Sequence, residues 1–204
     1  QFSWIASLED NWQAIRQEFL SLDKSQTDFT PYVGDGPDVP VSMQNLAGSH
    51  DWDAFHLYVG GKVQTANAAA CPVTAKLLET LPMARLAGVA PEAFFSVLRP
   101  GAHIKPHHGI SNVKVAVHLP LVVPDQCAIR VGEEWRSWQD GRCLIFDDSF
   151  EHEAYNRSSH VRVVLIFEVW HPDISETEAQ AMTALSSCID TWSAGAKQNL
   201  QARL

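Results

Sequence analysis

No two of the four cysteines form a CxxC pair. Cys71, Cys127, Cys143 and Cys188 are far apart, which argues against a zinc ribbon or a thioredoxin-like site. They are expected to be reduced thiols packed as small hydrophobes. The chain also lacks a basic excess: 15 Lys and Arg stand against 24 Asp and Glu, a formal net charge of −9. Nucleic-acid binding needs a basic stripe, and docking on an anionic membrane needs the same sign, so neither partner is expected. The acidic residues are scattered, as solubility alone would have them. No apolar run is long enough to cross a bilayer. No leader sequence is evident, so a cytoplasmic protein is expected, although a chain beginning at Gln1 leaves a preceding segment open. There is no internal repeat, no low-complexity tract and no compositional break. With 204 residues, one domain is expected: a helix and loop region over 1–50, a β core over 51–173 and a C-terminal helix over 174–204.

The ends of the chain read as helices. Leu8, Trp12, Ile15 and Phe19 recur at three- and four-residue steps behind a possible cap at Ser7. Ser175 and Glu178 have capping-box spacing, ahead of an apolar face of Met182, Leu185, Ile189 and Trp192. "TPYVGDGPDVP" reads as a long loop and "CPVTAKLLETL" as a short helix. Between the ends lie "AFHLYVGG", "AFFSVLRPG", "VKVAVHLPLVVP", "CAIRVGEEWRSW", "GRCLIFDDS", "HEAYNRS" and "VRVVLIFEVWHP". These short β-rich runs are punctuated by turn residues at sandwich or barrel spacing. The expected fold is mostly β with flanking helices, a jelly roll or double-stranded β-helix of the cupin kind.

His107 precedes one strand run and His152 follows another. Strand ends of a jelly roll converge on one mouth, so the two imidazoles could meet from either side of it and share Fe, Zn, Cu or Ni. Arg162 lies in an apolar strand, where a guanidinium is costly without an anion. Either an internal Asp or Glu pairs with it, or an anionic cosubstrate binds deep in the barrel. Two histidines and a deep arginine are what an Fe(II) oxygenase using 2-oxoglutarate requires. A catalytic zinc site, by contrast, usually takes three protein ligands.

The ordered motifs "PGAHIKPHHG", "IFDDSFEHE" and "EVWHP", within residues 94–173, resemble the aspartyl/asparaginyl β-hydroxylases, a family of Fe(II)/2-oxoglutarate oxygenases. Weaker similarity extends back to about residue 50, through "DWDAFHLYVGG" and "AKLLETLP". The resemblance implies that His107 and His152 hold iron, that Arg162 and Ser96 receive the distal carboxylate of 2-oxoglutarate, and that His118 sits near its iron-proximal carboxylate. His103 and His108 are left as surface or loop residues. The third ligand in most such oxygenases is a carboxylate two residues after the first histidine; here that position is Gly109. Asp147 and Asp148 are candidates to orient His152 or a bound water.

The pattern departs from the family where its two substrate-carboxylate arginines would stand, at Lys114 and Ala116. Lysine lacks the bidentate fork and alanine makes no contact. A small amino acid or amino-acid-derived substrate is therefore expected, oxidised at an unactivated C–H by hydroxylation, cyclisation or desaturation. If Lys114, or Arg130 from a neighbouring strand, takes over the missing role, the substrate is instead an Asp or Asn residue of a peptide or protein. Molecular oxygen is the implied co-reactant. A jelly-roll module that has lost its activity is the remaining alternative.

Overall fold

A computed structural model describes residues 2–22 and 29–201. In chain order its strands are β1 (Thr30–Pro31), β2 (Trp52–Val59), β3 (Lys62–Val63), β4 (Ala93–Leu98), β5 (His103–His107), β6 (Lys114–Val122), β7 (Cys127–Val131), β8 (Glu134–Arg136), β9 (Leu144–Phe146), β10 (His152–Asn156) and β11 (Arg162–Trp170). The helices are α1 (Ile5–Ser21), α2 (Thr65–Ala70), α3 (Pro72–Glu79) and α4 (Glu176–Gln201), with a 3₁₀ turn over Val41–Leu46. One antiparallel sheet has the order β1-β2-β4-β11-β6-β9, with β3 beside β2; the other has the order β5-β10-β7-β8. Two such sheets face to face make a double-stranded β-helix, as expected from the strand spacing.

The larger sheet is buried on both faces, which explains why its strands read as near-continuous apolar runs. Odd-numbered residues of β4, β6 and β11, including Phe95, Val117, Leu119, Leu165 and Phe167, pack outward against Leu8, Ile15 and Phe19 of α1. Even-numbered residues face the second sheet. Leu98 there joins Trp52, Ile104, Ile129, Trp138 and Ala154 in an inner cluster. The period-2 geometry of a strand thus places Lys114, Ala116 and His118 of β6 on the same inner face as Arg162, Ile166 and Glu168 of β11.

α1 buries the stripe expected of it, but it starts at Ile5, ahead of Ser7. Trp4 occupies the cap position without a side-chain hydrogen bond, and the Ser7 carbonyl accepts from Asn11 Nδ2 inside the helix. The short helix expected from "CPVTAKLLETL" is α3, with Pro72 at its start. The loop read in "TPYVGDGPDVP" contributes β1, whose Thr30 and Pro31 pair with Ala54 and Asp53. The Ser175–Glu178 capping box forms in both directions at the start of α4. The apolar face of that helix, however, is not covered: Leu185, Ile189 and Trp192 are exposed, and Met182 is half-buried. Cys71 and Cys127 are buried and Cys143 is partly so, but Cys188 on α4 is exposed; all four are free thiols. No described helix is long and apolar enough to cross a membrane.

Candidate active site

The two imidazoles meet, though not from opposite sides of a mouth. His107 ends β5 and His152 begins β10, and the two residues are direct cross-strand partners in the smaller sheet. Their ring centroids lie 4.1 Å apart, and both line a cavity of about 290 Å³ between the sheets. The His107 Nδ1–H donates to the Lys105 carbonyl at 2.8 Å, and the His152 Nδ1–H donates to the Phe150 carbonyl at 2.9 Å. A carbonyl can only accept, so each Nδ1 carries the proton and each Nε2 keeps its lone pair. Burial and the neighbouring imidazole push the His107 pKa down to about 4, and burial lowers that of His152. Both rings are neutral at pH 7, the form in which imidazole binds a metal. Among the described residues no third His, Cys, Asp or Glu joins them in a metal-holding group.

Arg162 lines the same cavity and is 1% exposed. Its Nη1–H donates to Ser96 Oγ at 3.2 Å, and its guanidinium lies 4.9 Å from the centre of the Trp138 ring. Among the described residues Nε has no hydrogen-bond partner and no carboxylate pairs with the group. The internal salt bridge left open by the sequence is therefore absent. Burial alone pulls the arginine pKa down, to about 10, so the positive charge is retained at neutral pH but is poorly solvated. Ser96 is held in turn by Trp52 Nε1 at 2.9 Å.

His118 carries the opposite tautomer. Trp138 Nε1–H donates to its Nδ1 at 3.2 Å. An indole can only donate, so the His118 proton sits on Nε2. Burial, with the charges of Arg162 and His152, holds this imidazole far below its usual pKa. It thus offers the cavity a neutral N–H donor rather than a metal lone pair.

Lys114 and Ala116 both line the cavity. The Lys114 side chain is 3% exposed and matched by two carboxylates: Glu168 Oε1 at 2.5 Å and Asp148 Oδ2 at 3.3 Å. Gly109 lies against Asp148. A Cβ there would come within 2.3 Å of Asp148 Oδ2 and 2.4 Å of its Cγ, and the Gly109 N–H donates to the Asp148 carbonyl at 2.6 Å. The space that a side chain at 109 would fill thus holds the Asp148 carboxylate, whose Oδ1 is buried without a hydrogen bond among the described residues.

With this geometry in view, residues 9–172 match the family described as Aspartyl/Asparaginyl beta-hydroxylase. The chain belongs to the aspartyl/asparaginyl β-hydroxylase family. It is 34% identical over 183 residues to the human aspartyl/asparaginyl beta-hydroxylase, covering 89% of this chain and 23% of that protein. It is 36% identical over 178 residues to human aspartate beta-hydroxylase domain-containing protein 2, covering 86% of this chain and 46% of that protein. It is 33% identical over 174 residues to an ornithine lipid ester-linked acyl 2-hydroxylase of Rhizobium tropici, covering 84% of this chain and 58% of that protein.

Two site candidates of this β-hydroxylase-family chain, Arg130 and Asp147, lie outside the cavity. Arg130 alternates with the inward Ile129 and so faces away from the cavity, where it donates to Glu153 at 2.6 Å and Glu151 at 2.9 Å. Asp147 accepts the Ser149 N–H at 2.9 Å in a turn and does not line the cavity; His152 is oriented by the Phe150 carbonyl instead. His108, read as a loop residue without a role, stands at the cavity rim, its Nδ1 on the Ser149 carbonyl at 3.1 Å. His103 is a surface residue paired with Glu153 at 2.7 Å. Sequence reasoning missed Trp138, Tyr32, His56, Glu92 and Glu168. Glu168 was within its reach, because it shares strand and parity with Arg162.

Proposed function

We propose that the chain is an Fe(II)/2-oxoglutarate-dependent oxygenase acting on a C–H bond of a small substrate derived from an amino acid. One observation carries this reading above all: a buried guanidinium without a carboxylate partner shares a cavity with two neutral imidazoles whose Nε2 lone pairs are free. The donor set fits the metal, since two imidazole nitrogens suit iron and leave further positions open. His107 and His152 would hold it, and when bound with 2-oxoglutarate it would supply the oxidising chemistry. The chain's own residues then have separable tasks. Arg162, supported by Ser96, would take the distal carboxylate of 2-oxoglutarate through charge-assisted hydrogen bonds. The His118 Nε2–H would donate to an oxygen of the same molecule nearer the metal. The backbone carbonyls of Lys105 and Phe150 fix both metal-binding rings before anything binds.

An acidic substrate, as in hydroxylation of Asp or Asn residues, is the second reading. Support for it is the family and the names of the relatives, whose full lengths this chain spans only in part. Against it, Lys114 already has two carboxylate partners and Arg130 faces away. The discriminating experiment is succinate release from 2-oxoglutarate on adding Fe(II) and oxygen, stimulated by amino acids or by Asp-containing peptides. Release that is stimulated and is lost in His107→Ala supports the oxygenase. Full release in that variant overturns the assignment of His107 to the metal, and no release in the native protein refutes the oxygenase in favour of an inactive binding module.

A further inference from the structure

The cavity has a second polar end, which the oxygenase reading leaves unused. Along β11, Arg162 and Glu168 point inward six residues apart, roughly 20 Å at strand rise. The guanidinium thus lies at one end and a carboxylate at the other. Around Glu168, the cavity lining also includes Glu92 and Asp148, with Lys114 as the cation among them. Three carboxylates against one ammonium leave this end with a net charge of −2.

The internal hydrogen bonds do not use up these acceptors. Glu168 is fully engaged, with Oε1 on Lys114 Nζ and Oε2 on the Glu92 N–H at 2.9 Å. Glu92 Oε1 accepts the Gly60 N–H at 2.7 Å. Its Oε2 has only the His56 ring nearby, at 3.7 Å, and His56 Nδ1 is buried without a partner among the described residues. Asp148 Oδ1 is likewise unpartnered. Burial holds Glu92 above the usual carboxylate range and His56 below the usual imidazole range. This end is therefore short of positive charge.

Its wall is aromatic. Tyr32 stacks on Trp52 at 4.0 Å and on Phe94 at 4.9 Å between ring centres, and His56 lies 5.3 Å from Phe94. Tyr32, Trp52 and Phe94 all line the cavity. Tyr32 itself is 37% exposed, so the wall opens to solvent at its outer edge. Glu92, Asp148 and Glu168 line the same cavity as these rings. Ring faces beside carboxylates attract an ammonium group through both its charge and its polarisable surroundings.

We propose that this end of the cavity, formed by Tyr32, Phe94, Glu92, Asp148 and Glu168, binds a positively charged amino group of the substrate. That a ligand enters this cavity at all is argued independently by the orphaned Arg162 at its far end. The assignment deepens the oxygenase reading by naming the charge of its substrate. The substrate is then a primary or secondary amine, with the oxidised carbon set back from the amino group toward the histidines, and not a diacid.

The test uses two linear probes, hexan-1-amine and hexan-1-ol, titrated calorimetrically into the full chain without iron or 2-oxoglutarate. The amine should bind at least tenfold more tightly than the alcohol. Glu92→Gln keeps an oxygen for the Gly60 N–H but removes the charge, and should cut that preference to within threefold. If Glu92→Gln does not fold, Tyr32→Leu removes the aromatic face and should likewise reduce the preference. Equal binding of the two probes by the native protein, or a preference unchanged in the folded variants, overturns the proposal. Because no turnover is measured, failure here is distinct from failure of succinate release.

Discussion

Three of the histidines that line the cavity, His107, His118 and His152, differ in which nitrogen carries the proton, and their neighbours decide it. Carbonyl acceptors beside His107 and His152 fix the proton on Nδ1, whereas an indole donor beside His118 fixes it on Nε2. Two rings thereby keep an Nε2 lone pair that a metal could use, and one presents an N–H donor to the cavity. His107→Ala or His152→Ala should therefore reduce Fe(II) affinity and turnover beyond the roughly 10- to 100-fold typical of changes around a metal's ligands, with the β-rich circular dichroism spectrum retained. His118→Ala should spare Fe(II) affinity and weaken 2-oxoglutarate. Equal loss of metal in all three variants would contradict the tautomer assignment. Arg162 presents the complementary case. A buried, unpaired guanidinium opposes folding, so Arg162→Met should raise stability by about 1 kcal/mol or more, partly offset by the lost contact with Trp138. In a chain of this size that is a rise of roughly 2–4 °C in melting temperature. A fall in melting temperature would show that the arginine serves the fold instead.

At the scale of elements, the two terminal helices share an amphipathic pattern and meet different fates. α1 lies on the outer face of the larger sheet and buries Leu8, Ile15 and Phe19, while α4 leaves Leu185, Ile189 and Trp192 exposed. Phe19→Ala should accordingly cost about 3–5 kcal/mol, and Trp192→Ala should stay within about 0.5 kcal/mol; chemical denaturation measures both. The contrast marks what the sequence could tell. Period located both helices and capping only the start of α4, but an apolar stripe does not name the surface that covers it. Strand periodicity was more informative. An apolar strand run placed Arg162 inside the barrel, and parity along that strand points to Glu168, while Lys114, Ala116 and His118 came from the family resemblance. Arg130 was misplaced because a short run such as "CAIRV" has no wet face to set its phase. The pairing of His107 with His152 was legible as a meeting, but the direct register between β5 and β10 depends on long-range sheet order. Trp138 and Glu92 act through contacts across the barrel that no local spacing encodes.

At the scale of the whole molecule, imidazoles in and beside the cavity resist protonation. Burial is the largest cause lowering the pKa of each of His56, His107, His118 and His152. Each binds a proton more readily when unfolded, so as pH falls below about 6.5 the unfolded state takes up protons first. Their contribution is complete above that pH and declines as it falls, for His107 down to about 4. The metal-free protein should therefore melt at progressively lower temperature from pH 7 to pH 5. A melting temperature constant across that interval would contradict the buried, neutral state of these rings.

The account as a whole depends on an anion reaching Arg162 beside a metal at His107 and His152. Anaerobic calorimetric titration of 2-oxoglutarate into the Fe(II)-loaded protein, native and Arg162→Met, tests this most directly. Removing one partner of a buried charge pair costs roughly 2–5 kcal/mol, so the variant should bind 2-oxoglutarate about 30-fold more weakly or worse. An affinity in Arg162→Met equal to that of the native protein would contradict the account.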